Sequence, residues 1–335
     1  MTPREETGRL RTVTGTIATS DITGPVLSHE HLQLDLRWPA RPQQVGSDPY
    51  RWLDEEKAVT RELAALRADR GLGLVVDLTC AGMGRNAAAL ARISASARVA
   101  VVAGTGVFTE PFHPAFVRET LSAAADASAA AGGGAGPDAV DRLAERLLAE
   151  IGFGMDGTNS LPGVIGEIGT WGEAPTATEE LCLRAAAQAA RYSGLPVATY
   201  GRSGLAQLEI LVGAGLPAAR VAVGQQDRVD DPAQHRKIAE TGGYVSFGTL
   251  GLAGEDHAAV GARVRGVMAL LEAGHADRVL LSTGVSRMSQ VARNGGGGYG
   301  YLFDVFLPAL RAAGADDATL DGILHANPLR WLTAA

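Results

Sequence analysis

The sequence is short of lysine and cysteine, and these shortages narrow the classes of function open to it. Only Lys57 and Lys237 carry an ammonium, in a chain of 335 residues whose other fixed positive charge is arginine. The net charge of −7 is spread along the chain without a basic block, so nothing forms an electrostatic footprint for nucleic acid. Two cysteines, Cys80 and Cys182, are too few for a disulfide framework or a zinc knuckle. No apolar run approaches the roughly 20 residues that a membrane-spanning helix needs. The N-terminal MTPREETGRLRTV has no signal-peptide core, so a soluble cytoplasmic protein is expected. A glycine-rich dinucleotide turn after the first strand pattern is also missing, which argues against an open doubly wound sheet. What the chain does have is length and a 46% hydrophobic content, enough for one large core or two smaller ones.

Short β-branched apolar runs recur at 25–32, 72–79, 98–107, 162–169, 195–201, 220–226, 243–249 and 278–284. Helical patterns lie between them, among them DEEKAVTRELAALRADRG, DAVDRLAERLLAEIG, TATEELCLRAAAQAARYSG and DDPAQHRKIAETGG. Several of these begin at an Asp or Thr cap and end at glycine. Near-continuous apolar strands separated by helices indicate a parallel sheet buried on both faces. Eight of them in one chain predict a single-domain α/β fold, a (β/α)8 TIM barrel. The expected domain spans 1–335, with an N-terminal β extension over about 10–24 and C-terminal helices over about 303–333. The low-complexity stretch 123–140 reads as a flexible loop or frayed helix between strands three and four. The glycine run 294–303 reads as a loop over the barrel mouth.

Reacting groups in such a barrel sit at the C-terminal strand ends. VLSHEHLQL ends the first strand with His29 and His31 one residue apart. At a period of two, both imidazoles are expected to face the interior and Glu30 the helices. Two converging imidazoles make half a site for zinc or a similar ion; the alternative is a hydrogen-bonded core pair. Strand four ends in GVIGEIG, where Glu167 is an isolated carboxylate in an apolar strand. Such a group needs a partner: a salt bridge, perhaps to Arg85, or a place as third ligand opposite the histidines.

With these residues in view, the chain resembles the phosphotriesterase family of the amidohydrolase superfamily. The likeness runs through TVTGTIATSDITGPVLSHEHL, VVDLTCAGMGRN, AGTGVFTEPFHP, IGEIGT, VGQQDRVDD, LLSTGVSR and the ending GYGYLFDVFLPALRAAG…ILHANPLRWL. The resemblance implies two divalent metals at the barrel mouth and hydrolysis of phosphotriesters, lactones or related esters by water activated there. Carried over residue by residue, it places metal ligands at His29, His31 and Glu167. It also places the strand-five histidine at Tyr200, the strand-six histidine at Gln225 and the strand-eight aspartate at Gly284. Three of six ligands are therefore replaced. Tyr200 and Gln225 would remove the second metal, and Gly284 a ligand and the usual proton acceptor. Family-like residues also remain at Arg85, Asn86, Asp227 and Arg287. Asp227 shares the parity of Gln225 and either faces the mouth or serves as a helix N-terminal charge. An aspartate introduced at Gly284 is expected to fit without backbone movement, because the loop glycines leave room.

The leading expectation is a hydrolase with at most one zinc, held by His29, His31 and Glu167. Tyr200, Asp227 and Arg287 are its expected catalytic residues, Tyr200 donating a proton or hydrogen bond and Arg287 pairing with an anionic group. A lactone or carboxylic ester suits one metal better than a phosphoester. The alternatives are a metal-free pocket running an elimination, isomerisation or cyclisation, and a binding protein without turnover. The expected partner is a small molecule, neither nucleic acid nor membrane, and the family likeness allows a homodimer. Specificity should reside in 108–120, 251–262 and 287–303.

Overall fold

Each of the eight apolar runs forms a strand, and all eight pair in parallel. In the computed structural model, which describes residues 8–37, 51–131, 137–251 and 257–334, they are β1 (Val26–Glu30), β2 (Leu74–Asp77), β3 (Ala100–Thr105) and β4 (Val164–Gly169). They continue as β5 (Val197–Tyr200), β6 (Val221–Val223), β7 (Tyr244–Phe247) and β8 (Val279–Leu281). Spatial order follows chain order. The ring is drawn closed by Ser28 Oγ donating to Leu281 O (3.1 Å) and Gly284 N donating to His29 O (3.2 Å). This is a single-domain (β/α)8 barrel.

Helices fill the crossovers where caps and glycines permit. One of them, α1 (Glu56–Arg70), stops at Gly71, whose φ of 71° is open to glycine without a Cβ penalty. Over Ala177–Ser193, Thr176 and Glu179 cap the start reciprocally, and Gly194 ends the helix in the left-handed region. Of the two readings for the stretch 123–140, loop or frayed helix, the described residues take the helical one. Its residues up to Ala131 continue the helix Ala115–Ala131, a second helix runs over Pro137–Phe153, and 132–136 lie outside the described residues. Alanine's helix propensity prevails over low complexity there. Part of the expected specificity loop 251–262 likewise falls outside, at 252–256.

Two apolar clusters divide the barrel. The inner one joins Val26, Leu74, Val76, Val102, Val164, Ala198, Ala222, Tyr244 and Leu280 to the buried Trp331 of the last helix. The outer one joins Leu27, Val75, Val101, Ile165, Val197 and Val245 to the surrounding helices. An antiparallel hairpin, Arg9–Thr12 with Gly15–Ala18, leads into the barrel, and its Leu10 joins the inner cluster. Among the described residues no helix is long and apolar enough to cross a membrane.

Candidate metal centre

Period-two alternation alone does not bring the histidines inward. Val26 belongs to the inner cluster and Leu27 to the outer, so strict alternation would carry His29 outward with Leu27. The register against β2 shifts between Leu27 and Glu30, and that irregularity re-aims the strand end. A second shift, between Ile165 and Ile168 of β4 against β5, brackets Glu167. Both strand ends thereby converge. His29 Nε2 lies 3.1 Å from Glu167 Oε2 and His31 Nε2 lies 3.6 Å from Glu167 Oε1, with all three side chains buried.

The three ligand-type atoms lie within 4.8 Å of one another, and among the described residues this is the cluster able to hold a metal. The 3.1 Å contact has ion-pair distance but not hydrogen-bond alignment, and Glu167 Oε2 has no hydrogen-bond partner. A buried carboxylate oxygen seldom goes unsatisfied. Two imidazoles and such an oxygen are the donor set a divalent cation takes, so the residues fit a metal. Electrostatics separate the two histidines. Burial opposes charge on His29, but Glu167 beside it, with Glu30 and Asp227 further off, raises its pKa. Burial, then the neighbouring His29, holds His31 well below the usual imidazole range. Burial raises Glu167, against the pull of His29.

Glu30 does not face the helices. Its Oε1 accepts from Ser282 Oγ (2.7 Å), Thr283 N (2.7 Å) and Thr283 Oγ1 (2.6 Å), and its Oε2 from Val285 N (2.9 Å). It thus clamps the end of β1 to the turn after β8. Nor does Arg85 pair with Glu167. Its guanidinium binds Glu150 (2.9 Å) and Asp156 (2.8 Å) and donates to Gly104 O (3.0 Å), while Asn86 caps the next helix.

The substituted positions lie around the triad. Tyr200 packs edge-on against Phe108, with ring centroids 4.7 Å apart. Burial and then Glu167 raise the Tyr200 pKa, while Arg228 and Arg287 pull it down, so two guanidiniums act on this hydroxyl. Phe108, Phe112 and the half-exposed Trp171 extend an aromatic wall from Tyr200. Gln225 is buried with φ 54°. Arg287 is exposed where the chain leaves β8. Asp227 is nearly buried, and its carboxylate accepts from Thr249 N (3.2 Å) and Thr249 Oγ1 (2.5 Å). It therefore supports the loop after β7 and does not join the triad.

Gly284 overturns one expectation. Its φ is +61°, and a Cβ there would lie 2.6 Å from Gly248 O and 3.0 Å from Thr249 Cα. The backbone of Gly248 and Thr249, together with the Thr249 Cγ2 methyl at 2.9 Å, occupies the space that an aspartate needs.

The main chain matches the profile of the Phosphotriesterase family over residues 8–332. This chain belongs to the phosphotriesterase family. The phosphotriesterase homology protein of Escherichia coli (strain K12) is 33% identical, aligned over 93% of this chain and 98% of its own. The crystal structure of that protein, complexed with phosphate in its active site, superposes with a TM-score of 0.81 over 93% of this chain and 99% of its own at 31% identity. N-acetyltaurine hydrolase of Rattus norvegicus is 28% identical over 97% of this chain and 98% of its own. A lactonase from Listeria monocytogenes superposes with a TM-score of 0.82 at 25% identity, over 98% of this chain and 99% of its own. Two of these relatives are named for a hydrolytic activity, consistent with an ester-acting hydrolase here, and the family is typically metal-dependent.

Reading the residues alone missed the groups that hold this phosphotriesterase-family triad in place. Thr79 Oγ1 meets His31 Nδ1 at 3.0 Å, and Asp77, fully buried, accepts from Leu32 N (2.6 Å) and Thr79 N (3.0 Å). Tyr299, from the glycine run, is buried and donates to His31 O at 2.7 Å. Gly248 closes on His29, where a Cβ would lie 2.6 Å from Nδ1. Asp77 did carry a signal, a lone carboxylate in VVDLT like that of Glu167 in VIGEIG. Tyr299 and Gly248 carried none.

Proposed function

We propose that this chain is a mononuclear, zinc-dependent hydrolase of an acyl bond, with lactones and carboxylic esters ahead of phosphoesters. One observation supports it above the others: two buried imidazoles and a buried carboxylate with an unsatisfied oxygen converge at the mouth. A divalent ion held there would polarise the carbonyl and ease ionisation of water. His29, His31 and Glu167 hold it. Tyr200, beside Glu167 and under the influence of two arginines, donates a hydrogen bond to the carbonyl oxygen or leaving group. Arg287, exposed at the rim, pairs with an anionic part of the substrate. Since N-acetyltaurine hydrolase is among the relatives, anionic amides belong in the substrate panel with lactones and esters.

The position at Gly284 supplies no carboxylate, and Asp227 is tied to Thr249, so slow turnover on generic substrates is expected. The test is elemental analysis of protein purified without chelator, followed by the substrate panel with and without added zinc. About one equivalent of metal and metal-dependent acyl hydrolysis support the reading. A metal-free protein that gains no activity with zinc sinks it, and the acid–base pocket without metal takes its place.

A further inference from the structure

We propose that Glu62, on helix α1, is a positioning residue for the triad: it receives the glycine run after β8 and so seats Tyr299 against the backbone of His31. The run NGGGGYGY (294–301) has no part in the chemistry proposed above, yet its conformation is built around one side chain. Two three-residue turns, Met288–Gln290 and Ala292–Asn294, lead into it. Glu62 Oε1 accepts from Ala292 N at 2.6 Å, and Glu62 Oε2 accepts from Tyr299 N at 3.2 Å. One carboxylate thus pins the backbone on both sides of the four consecutive glycines. Gly298 lies between these two bonds with φ +59°, and a Cβ there would collide with Glu62 Oε2. Glycine takes that backbone angle without strain and also lets the carboxylate come so close.

The consequence reaches the triad through Tyr299. Its side chain is wholly buried, and its hydroxyl donates to His31 O at 2.7 Å. A carbonyl oxygen can only accept, so the direction of that bond is fixed. Glu62 therefore holds the N–H of the residue whose hydroxyl holds the backbone from which the His31 imidazole projects. A second tie from the same end of the chain is weaker. Glu55, which precedes α1, meets Arg293 at 2.5 Å, but both side chains are exposed, where screening leaves an ion pair little strength. The attachment of the glycine run to α1 thus rests on Glu62. Glu62 meets no ligand-type atom of the triad and acts on His31 only through Tyr299. Its purpose rests on the metal reading above, whereas the contacts stand without it.

The test uses the full chain and two readouts. In metal-free protein, the NMR signals of the His31 ring, assigned through His31→Asn, should move in Glu62→Ala and in Tyr299→Phe. They should keep their parental positions in Glu55→Ala. A Glu62→Ala variant that melts earlier but leaves the His31 signals unmoved overturns the proposal, because that is the behaviour of a merely structural anchor. Zinc affinity, measured by competition with a chromophoric chelator, gives the second reading. Glu62→Ala should weaken binding roughly tenfold, as loss of a group that orients a ligand does. Tyr299→Phe should act alike, and the double variant should bind no more weakly than the worse single one, since both changes break the same path. Additive losses overturn the proposal, as does an equal loss in Glu55→Ala. If Glu62→Ala does not fold, Glu62→Gln replaces it with the same expected shifts, because its amide keeps one acceptor and turns N–H groups toward the other donor. A parent that takes no zinc defeats the proposed hydrolase, yet leaves the His31 signals to decide the role of Glu62.

Discussion

At the scale of single residues, two glycines near the mouth have opposite meanings. Gly248 lies against His29, and a methyl group there would come within 2.6 Å of its Nδ1. Gly248→Ala should displace that imidazole and weaken zinc binding, with a smaller loss of stability because the clash is with a side chain. Chelator competition and thermal melting together separate these effects. Gly284 meets backbone instead, at a positive φ of 61°. Gly284→Asp is thus expected to cost about 2 kcal/mol or more, from left-handed strain and overpacking together. The measurement is denaturant unfolding alongside zinc affinity. A variant with parental stability and tighter zinc would mean the loop after β7 yields more readily than its packing indicates. The family pattern in LLSTGVSR marks which side chain is missing; the backbone that has filled its place is a tertiary fact no local pattern carries.

At the scale of elements, the strands were legible and their irregularities were not. Each strand is a run of Val, Ile and Leu bounded by caps and glycines, so its existence follows from local sequence. The register shift between Leu27 and Glu30 leaves no trace in a period-two pattern, yet it is what turns both histidines toward Glu167. Arg85 illustrates the same limit, since its partners Glu150 and Asp156 are distant in sequence. The strand ends also hold buried carboxylates whose titration can be followed. Burial raises Asp77 from 3.8 to about 7, against the hydrogen bonds from Leu32 and Thr79. The folded state therefore holds this proton more tightly than the unfolded chain does. Its contribution to stability is full below about 4 and is lost as pH rises toward about 7. Unfolding free energy of the parent, relative to Asp77→Asn, should decline across that window and flatten above it. A parallel pair of pH profiles would mean Asp77 is ionised throughout.

At the scale of the whole molecule, the barrel ties its mouth to its closure. Glu30 follows His29 directly in β1 and binds the 282–285 turn, while Gly284 N bonds the carbonyl of His29. The seam between the first and last strands therefore runs through the metal ligands themselves. Anything that organises the triad should consequently stabilise the entire fold, not a local loop. A ligand that binds only the native state adds RT ln(1 + [L]/Kd), or about 2.7 kcal/mol at roughly a hundredfold excess over Kd. Zinc added to chelator-treated protein should then raise the melting temperature of the complete chain in one cooperative transition. His31→Ala should lose that rise while still folding, because Tyr299 grips the backbone carbonyl of His31 and not its imidazole. Calorimetry of both proteins, with and without zinc, makes the comparison. An equal rise in both would place the bound zinc elsewhere on the surface. No rise in the parent would leave three buried ligand-type side chains facing one another with no metal to reconcile them, and the acid–base pocket would become the reading to test.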